Sequence, residues 1–230
     1  MHRGGGSHKL PSEMLNHPDA SLPFDMPIAE LLAGRLLVEP PAIAPTGDEL
    51  VPDWAPLEPF SRPPTPAAVL IGLVRRPEGH TVLYTERSPD LRSHSGQVAF
   101  PGGKIDAGDL HAGAAALREA YEEVGLLTHE ANVLGYMEPY FTGSNYLITP
   151  VVAEVFPSGP FVPNPGEVHS VFEVPLRRIL DSASYGHFRI KRGGKEHVTW
   201  QIDHDGHTIW GITANLTRKF RDLVLGEVEA

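Results

Sequence analysis

The chain has 230 residues, of which 41% are hydrophobic and 21% charged, and its formal net charge is −10. This composition is ordinary for a soluble globular protein, and the acidic balance argues against general binding to nucleic acid or to anionic membranes. The absence of cysteine excludes disulfides and cysteine nucleophiles, and no stretch approaches the roughly 18 apolar residues of a membrane helix, so we expect a cytoplasmic protein.

The first 63 residues are predicted to form an N-terminal extension, followed by one domain over residues 64–230. The extension begins with a polar, Gly- and His-rich stretch that we expect to be mobile. A short amphipathic helix is predicted from Asp25 to about Val38, with Asp25 as its cap and Pro27 in its first turn. The proline-rich segment that follows is expected to pack on the domain through apolar side chains such as Phe60.

The rest of the chain alternates irregularly between predicted strands and helices. Apolar and β-branched runs predict strands over residues 67–74, 81–85, 133–137, 147–155 and 168–174. A hairpin with an Asp-Gly turn is predicted from 187–191, 197–202 and 207–210, and helices over 110–124, 175–180 and 213–225. This order favours an α+β protein, an α/β/α sandwich in which helices cover a mixed β-sheet.

The helix over residues 110–124 carries an unusual concentration of acid. Asp109 is the predicted N-cap, and Gly125 stands where helices commonly end in a left-handed residue. Positions three and four apart share one face of a helix, so Glu119, Glu122 and Glu123 should converge. Mg²⁺ or Mn²⁺, which prefer oxygen ligands, would relieve their repulsion; the alternative is a solvated, Glu-rich helix face.

The residues before this helix favour a metal site. Phe100-Pro101-Gly102-Gly103-Lys104 predicts a sharp loop, since its glycines permit close backbone approach to a ligand. A strand, a glycine-rich loop and an acidic helix in succession are typical of a site that binds metal and phosphate.

The loop and helix together resemble the Nudix box, whose pattern is G-x5-E-x7-R-E-U-x-E-E-x-G-U, where U is aliphatic. Gly103 begins the match, and its end is Arg118-Glu119-Ala120-Tyr121-Glu122-Glu123-Val124-Gly125-Leu126. The chain departs from the pattern at Asp109, which replaces Glu and is separated from Arg118 by eight residues rather than seven. The resemblance implies a Nudix fold and a diphosphatase in which Glu119, Glu122 and Glu123 bind the metal and Arg118 holds one of these carboxylates in place.

An upstream segment is similar to the signature of the coenzyme A diphosphatase branch of this family, L-L-T-x-R-[SA]-x3-R-x3-G-x3-F-P-G-G. The match runs from Leu83 to Gly103 and includes Arg87 and Arg92, with Tyr84 in place of Leu as its one mismatch. The resemblance implies hydrolysis of coenzyme A to 4′-phosphopantetheine and adenosine 3′,5′-bisphosphate. Two adjoining signatures at fixed spacing are far more specific than a lone glycine motif.

The resemblance and the residue types also suggest which residues bind the substrate and which acts as the general base. Arg87 and Arg92 would bind substrate phosphates, including the 3′-phosphate, or else form structural salt bridges. Gly102 and Gly103 would let the loop backbone approach the substrate. The general base would be Glu119 or Glu167; the alternative for Glu167 is a surface loop residue.

The expected partner is a small nucleoside diphosphate, with no nucleic acid and no membrane. The pattern leaves open another nucleoside diphosphate derivative, such as ADP-ribose or a dinucleotide, and a non-catalytic Nudix-fold binding module. It also leaves the oligomeric state open, a homodimer included.

Overall fold

The computed structural model describes residues 27–42, 60–91, 96–192 and 194–227, without the side chains of residues 192 and 195. Four α-helices are present there: α1 Ile28–Leu31, α2 Ala112–Val124, α3 Leu176–Leu180 and α4 Gly211–Leu225. The strands are β1 Thr65–Arg76, β2 Gly79–Arg87, β3 Val98–Ala99, β4 Gly102–Lys104, β5 Ala131–Tyr136, β6 Tyr140–Phe141, β7 Tyr146–Val155, β8 Val168–Pro175, β9 Tyr185–Arg192, β10 Lys195–His204 and β11 His207–Trp210.

Strand β1 is the centre of a mixed sheet. It pairs in parallel with β7 and antiparallel with β2 and β4, and the main order is β3-β2-β1-β7-β5. Strand β8 pairs with β2 and β6 with β7. The sequence of β1 explains its place, because its apolar side chains are buried on both faces, as in strands covered by helices on either side.

Helices cover both faces of this sheet. On one face, Ala68, Leu70 and Leu83 pack against the alanine-rich side of α2. On the other face, the sheet packs against α4, α3 and the N-terminal residues Ile28 and Leu32. The predicted α+β sandwich with a mixed sheet between helices is confirmed.

Strands β9, β10 and β11 form a second, antiparallel sheet that contacts α4. The predicted Asp-Gly turn joins β10 to β11, with Asp205 at φ 46° and Gly206 at φ 85°. Positive φ at both central residues is the geometry of a type I′ turn. Within the described residues no helix is both long and apolar enough to cross a membrane.

The helix predicted from Asp25 to Val38 is wrong in extent. Asp25 lies outside the described residues, Pro27 is the N-cap, and α1 ends after four residues. Gly34 at φ 70° takes the chain out of the helical conformation. Leu37 then exchanges two backbone hydrogen bonds with Tyr136, at 2.8 and 2.9 Å, so tertiary pairing overrides the helical pattern.

Candidate active site

Helix α2 begins two residues later than predicted and with a different cap. His111, not Asp109, is the N-cap, and its Nδ1 accepts a hydrogen bond from the Ala114 N–H at 3.2 Å. The predicted C-terminus is confirmed, since Gly125 has φ 70°. The helix buries its alanines against the sheet. Its Glu side chains differ in exposure: Glu123 is 3%, Glu119 16% and Glu122 48% exposed.

Glu123 is a buried carboxylate with little compensating charge. Its Oε2 accepts a hydrogen bond from the Gly102 N–H at 3.2 Å, and its Oε1 lies 3.8 Å from Arg87 Nη1. Burial raises its pKa to about 7; the Gly102 N–H and Arg87 oppose this shift, and the charges of Glu119 and Glu167 add to it. Among the described residues, the group therefore lacks a full counter-charge.

Glu119 lies against the backbone of the glycine loop. A Cβ at Gly103 would overlap the Glu119 carboxylate, lying only 2.5 Å from its Cδ. Burial raises the pKa of Glu119, hydrogen bonding to Arg118 opposes the shift, and the charges of Glu122 and Glu167 reinforce it. A glycine at position 103 is thus what allows Glu119 to occupy this place.

The two glycines predicted to lie in a loop belong instead to strand β4, because they pair with β1, and they have different neighbours. A Cβ at Gly102 would overlap the carbonyl oxygen of Ala68 and lie 2.7 Å from the Val69 Cα, on β1. Gly102 pairs with Val69 and Gly103 with Ala68 in the β1–β4 ladder. The first glycine is therefore required by the sheet and the second by Glu119, and nothing in this geometry assigns either to substrate.

Arg118 binds carboxylates on three sides. It donates to Asp109 through Nε at 3.1 Å and Nη2 at 2.9 Å, and through Nη1 to Glu119 at 2.9 Å and Glu122 at 3.3 Å. Asp109, predicted as the helix cap, instead holds the guanidinium in a bidentate pair. Hydrogen bonding to Arg118 lowers the pKa of Asp109. The structure thus contains an ion pair between Arg118 and a helix carboxylate.

The loop before β8 brings Glu167 toward the same carboxylates. Its N–H donates to the Asn164 carbonyl at 3.0 Å, and the Asn164 N–H donates to the Glu123 carbonyl at 2.8 Å. The Glu167 carbonyl accepts from the Ser88 N–H at 2.8 Å, which ties the loop to the end of β2. The charge of Glu167 raises the pKa of both Glu119 and Glu123, so its carboxylate lies within electrostatic reach of theirs.

Of the two arginines in the upstream signature, the structure describes Arg87 and not Arg92. Arg87 lies at the end of β2 with its guanidinium toward Glu123, and its buried Nε has no hydrogen-bond partner among the described residues. Arg92 lies outside the described residues, and its role remains a prediction. The structure thus contains the structural salt bridge that was the alternative prediction for Arg87. Its Nε remains without a partner among the described residues.

The site fits a hard divalent cation by its donor chemistry. Glu119, Glu122, Glu123 and Glu167 offer only oxygen ligands, and the buried Glu123 lacks a full counter-charge. Across the described ranges, no three Asp, Glu or His side chains already converge as a metal-ligand set. Arg118 holds oxygens of Glu119 and Glu122, so a cation would compete with this guanidinium for them.

Sequence reasoning missed the cap by His111 and the pair between Asp109 and Arg118. A histidine ring is not among the preferred N-cap groups, so no strong signal marked it. The Asp109–Arg118 pair had a weak signal, because Asp109 is an acid at the position where the box pattern has Glu, and Arg118 follows it on the helix. The Gly102 N–H that binds Glu123 could be found only from the β1–β4 register.

Comparisons with known proteins agree with the fold. Residues 64–192 match the NUDIX domain family model. The uncharacterized Nudix hydrolase NudL of Photorhabdus laumondii is 41% identical over 158 residues, which cover 69% of this chain and 84% of that protein. NudL of Escherichia coli K12, also uncharacterized, is 43% identical over 153 residues, covering 66% and 79%.

Among solved structures, the Nudix hydrolase RenU from M. smegmatis aligns with 71% of this chain and 88% of its own, at 21% identity and a TM-score of 0.48. The family match and the relatives show the class: the chain belongs to the Nudix family. It is a Nudix hydrolase, an enzyme that acts on pyrophosphate bonds. Nudix hydrolases generally use divalent metal ions.

Proposed function

We propose that this Nudix hydrolase is a coenzyme A diphosphatase that uses Mg²⁺ or Mn²⁺. The observation that carries the proposal is the contact between the two signatures: Arg87, from the coenzyme A diphosphatase signature, faces Glu123 of the Nudix box at 3.8 Å. This contact supports assigning Arg87 of the upstream signature to the same site as the helix carboxylates. Tyr84 is its single departure from the pattern.

Glu119, Glu122 and Glu123 would hold the cation. When bound, it would neutralise the diphosphate oxygens and acidify the attacking water. Water attacks one phosphorus of the diphosphate, the bridging P–O bond breaks, and the products are 4′-phosphopantetheine and adenosine 3′,5′-bisphosphate. The protein contributes position and charge, as is general in phosphoryl transfer.

A carboxylate on α2 or on the loop before β8 is proposed to act as the general base. Glu119, held by Arg118 and lying against Gly103, or Glu167, on the loop before β8, accepts the proton of the attacking water. Arg118 keeps Glu119 in place, and its own position is fixed by Asp109. Comparing kcat in the Glu119→Gln and Glu167→Gln variants decides between the two bases, because the base substitution should flatten the acidic limb of the pH–rate profile.

A substrate panel with Mg²⁺ and Mn²⁺, read by product identity, tests the assignment. Coenzyme A should be cleaved with the highest kcat/KM, and its products should be the two named above. Preferential cleavage of ADP-ribose or a dinucleotide would reassign the enzyme to another nucleoside diphosphate. Absence of turnover on every diphosphate, with the fold intact, would favour a binding module.

Arg87 is proposed to bind the 3′-phosphate through its guanidinium, since the side chain is partly exposed. The wild type should then prefer coenzyme A over 3′-dephospho-coenzyme A by about one to two decades in kcat/KM, since a charge-assisted hydrogen bond contributes about 1.5–3 kcal/mol. Arg87→Ala should abolish this preference and spare the dephosphorylated substrate. Arg189→Ala, which removes an exposed arginine on β9, is the control and should change neither value.

Equal losses on both substrates in Arg87→Ala would mean that this arginine serves only its salt bridge with Glu123. Equal cleavage of both substrates by the wild type would refute 3′-phosphate recognition by Arg87 and by Arg92. The diphosphatase assignment itself would survive either result.

A further inference from the structure

Tyr84 is the residue at which the upstream signature departs from its pattern, and it lies at the centre of the core. Its side chain is fully buried on β2, on the sheet face opposite α2. Its hydroxyl lies 3.0 Å from the hydroxyl of Thr217 on α4. A buried tyrosine hydroxyl needs a partner, and this partner lies beyond residue 192, where the family match ends.

Hydrogen bonds also connect α4, which carries Thr217, to β3, the strand that precedes the Phe100–Gly103 loop. Thr217 donates its hydroxyl hydrogen to the Thr213 carbonyl at 2.8 Å, so it accepts the hydrogen bond from Tyr84. The Thr213 hydroxyl in turn donates to the Val98 carbonyl at 2.9 Å. Val98 lies on β3, two residues before Phe100, so α4 is fastened to the strand that leads into the loop.

The ring of Tyr84 reaches the same loop directly. It stacks on Phe100 at 4.8 Å between centroids and on Phe172 of β8 at 5.6 Å, and Phe172 stacks on His207 of β11 at 3.9 Å. A leucine at position 84 could form neither the stack nor the hydrogen bond. The four rings connect the second sheet to the residue that begins the Phe100–Gly103 loop.

This loop is what places the carboxylates. The Pro101 carbonyl accepts from the Leu70 N–H at 2.8 Å, the Gly102 N–H binds Glu123, and Gly103 lies against Glu119. Displacing Phe100 would therefore displace both contacts. Groups that support metal ligands from behind typically change metal affinity about 10- to 100-fold when they are removed.

We propose that Tyr84 is a positioning residue for the metal-binding carboxylates, acting through its stack on Phe100 and its hydrogen bond to Thr217. The inference rests on the proposed metal-binding role of Glu119 and Glu123. The alternative is that Tyr84 is a core residue that contributes to stability alone.

The test is the affinity for Mn²⁺ without substrate. It is measured by electron paramagnetic resonance, below the unfolding temperature of each variant. Tyr84→Leu should weaken Mn²⁺ binding at least about tenfold, and Tyr84→Phe and Thr217→Val about threefold each, with the double variant no weaker than either single one. These two conservative changes keep the test decisive if Tyr84→Leu fails to fold.

Tyr185→Leu is the matched control. Tyr185 also packs on the core, and its hydroxyl donates to the Ile179 carbonyl at 2.8 Å, away from the loop. This variant should lose stability and keep Mn²⁺ affinity within about twofold, since its hydroxyl bonds Ile179 and its ring contacts Trp200, rather than Phe100 or Thr217. An equal loss of affinity in Tyr185→Leu would reduce the effect of Tyr84 to general damage and overturn the inference.

Mn²⁺ binding by Glu123→Gln shows whether a failure concerns the positioning role of Tyr84 or the proposed metal site itself. If Glu123→Gln weakens Mn²⁺ binding while the Tyr84 and Thr217 variants bind as the wild type, the positioning role is wrong and the metal site stands. If Glu123→Gln binds Mn²⁺ like the wild type, the metal site itself is wrong, and the inference falls with it.

Discussion

At the scale of single residues, the site is defined by how unequally its carboxylates are buried. Glu122 is half-exposed, whereas Glu123 is 3% exposed and lies 3.8 Å from the Arg87 guanidinium. A solvated Glu-rich face would expose all three groups alike. The burial of Glu123 is costly without a cation, and this cost makes the metal-free protein sensitive to pH.

Metal-free protein should lose stability as the pH rises. The pKa of Glu123 is about 7 in the folded chain against an ordinary 4.5, so folding favours the protonated form. The resulting stabilisation is fully present below pH 4.5 and is lost by pH 7, a change of about 3 kcal/mol. Urea unfolding in EDTA at pH 4.5 and pH 8 measures it.

In the same experiment Glu123→Gln should remove most of this pH dependence, because the amide does not titrate. Glu122→Gln, which changes a half-exposed carboxyl, should keep the wild-type slope. Adding Mg²⁺ at pH 8 should restore stability to the wild type and not to Glu123→Gln. Parallel pH curves for wild type and Glu123→Gln would refute the assignment of the burial cost to this residue.

At the scale of elements, short strand β4 and helix α2 form one unit through their backbone contacts. Gly102 is held against β1, and Gly103 makes room for Glu119. Substitutions at two adjacent glycines should therefore have different consequences, one for folding and one for catalysis.

Gly103→Ala should lower kcat at least about a hundredfold with a small effect on stability, since Glu119 must turn away from its place and small displacements of catalytic groups have effects of this size. Gly102→Ala should instead destabilise the fold, because β1 backbone atoms occupy the space of the new Cβ. Gly108→Ala, in the connection between β4 and α2 with open space around it, is the control. Thermal unfolding and kcat of the three variants decide the question, and equal activity of Gly103→Ala and Gly108→Ala would contradict this role for Gly103.

Local elements could be predicted from the sequence because their causes are local. The end of α2 at Gly125, the type I′ turn at Asp205-Gly206 and the apolar strands follow from neighbouring residues. The start of α2 did not, because His111 rather than Asp109 caps it. Contacts set by sheet register, such as Gly102 with Glu123, and by distant packing, such as Tyr84 with Thr217, have no local signal.

At the scale of the whole molecule, part of the N-terminal extension belongs to the core of the domain. Ile28 and Leu32 are 3% and 2% exposed within the core that also contains α4. Arg35 donates to the Leu223 carbonyl at 3.0 Å, near the C-terminus of α4, where a cation is favoured by the helix dipole. Residues 27–42 thus pack on α4, the helix that is hydrogen-bonded to β3.

Two truncations should separate this segment from the residues before it. Removing residues 1–20 should leave kcat/KM unchanged, as their polar, glycine-rich composition predicts. Removing residues 1–42 should strongly destabilise the protein, since loss of a large core side chain costs about 2–5 kcal/mol. A tenfold loss of kcat/KM in the shorter truncation, or normal stability in the longer one, would contradict this division.

The measurement that tests the central claim most directly is Mg²⁺-dependent hydrolysis of coenzyme A by the wild type and by Glu122→Gln and Glu123→Gln. The wild type should be inactive in EDTA and regain turnover with Mg²⁺, and each variant should fold but lose at least about a hundredfold in kcat, because electrostatic stabilisation is usually the largest catalytic term. Wild-type turnover by both variants at saturating Mg²⁺ would contradict the assignment of these carboxylates as metal ligands.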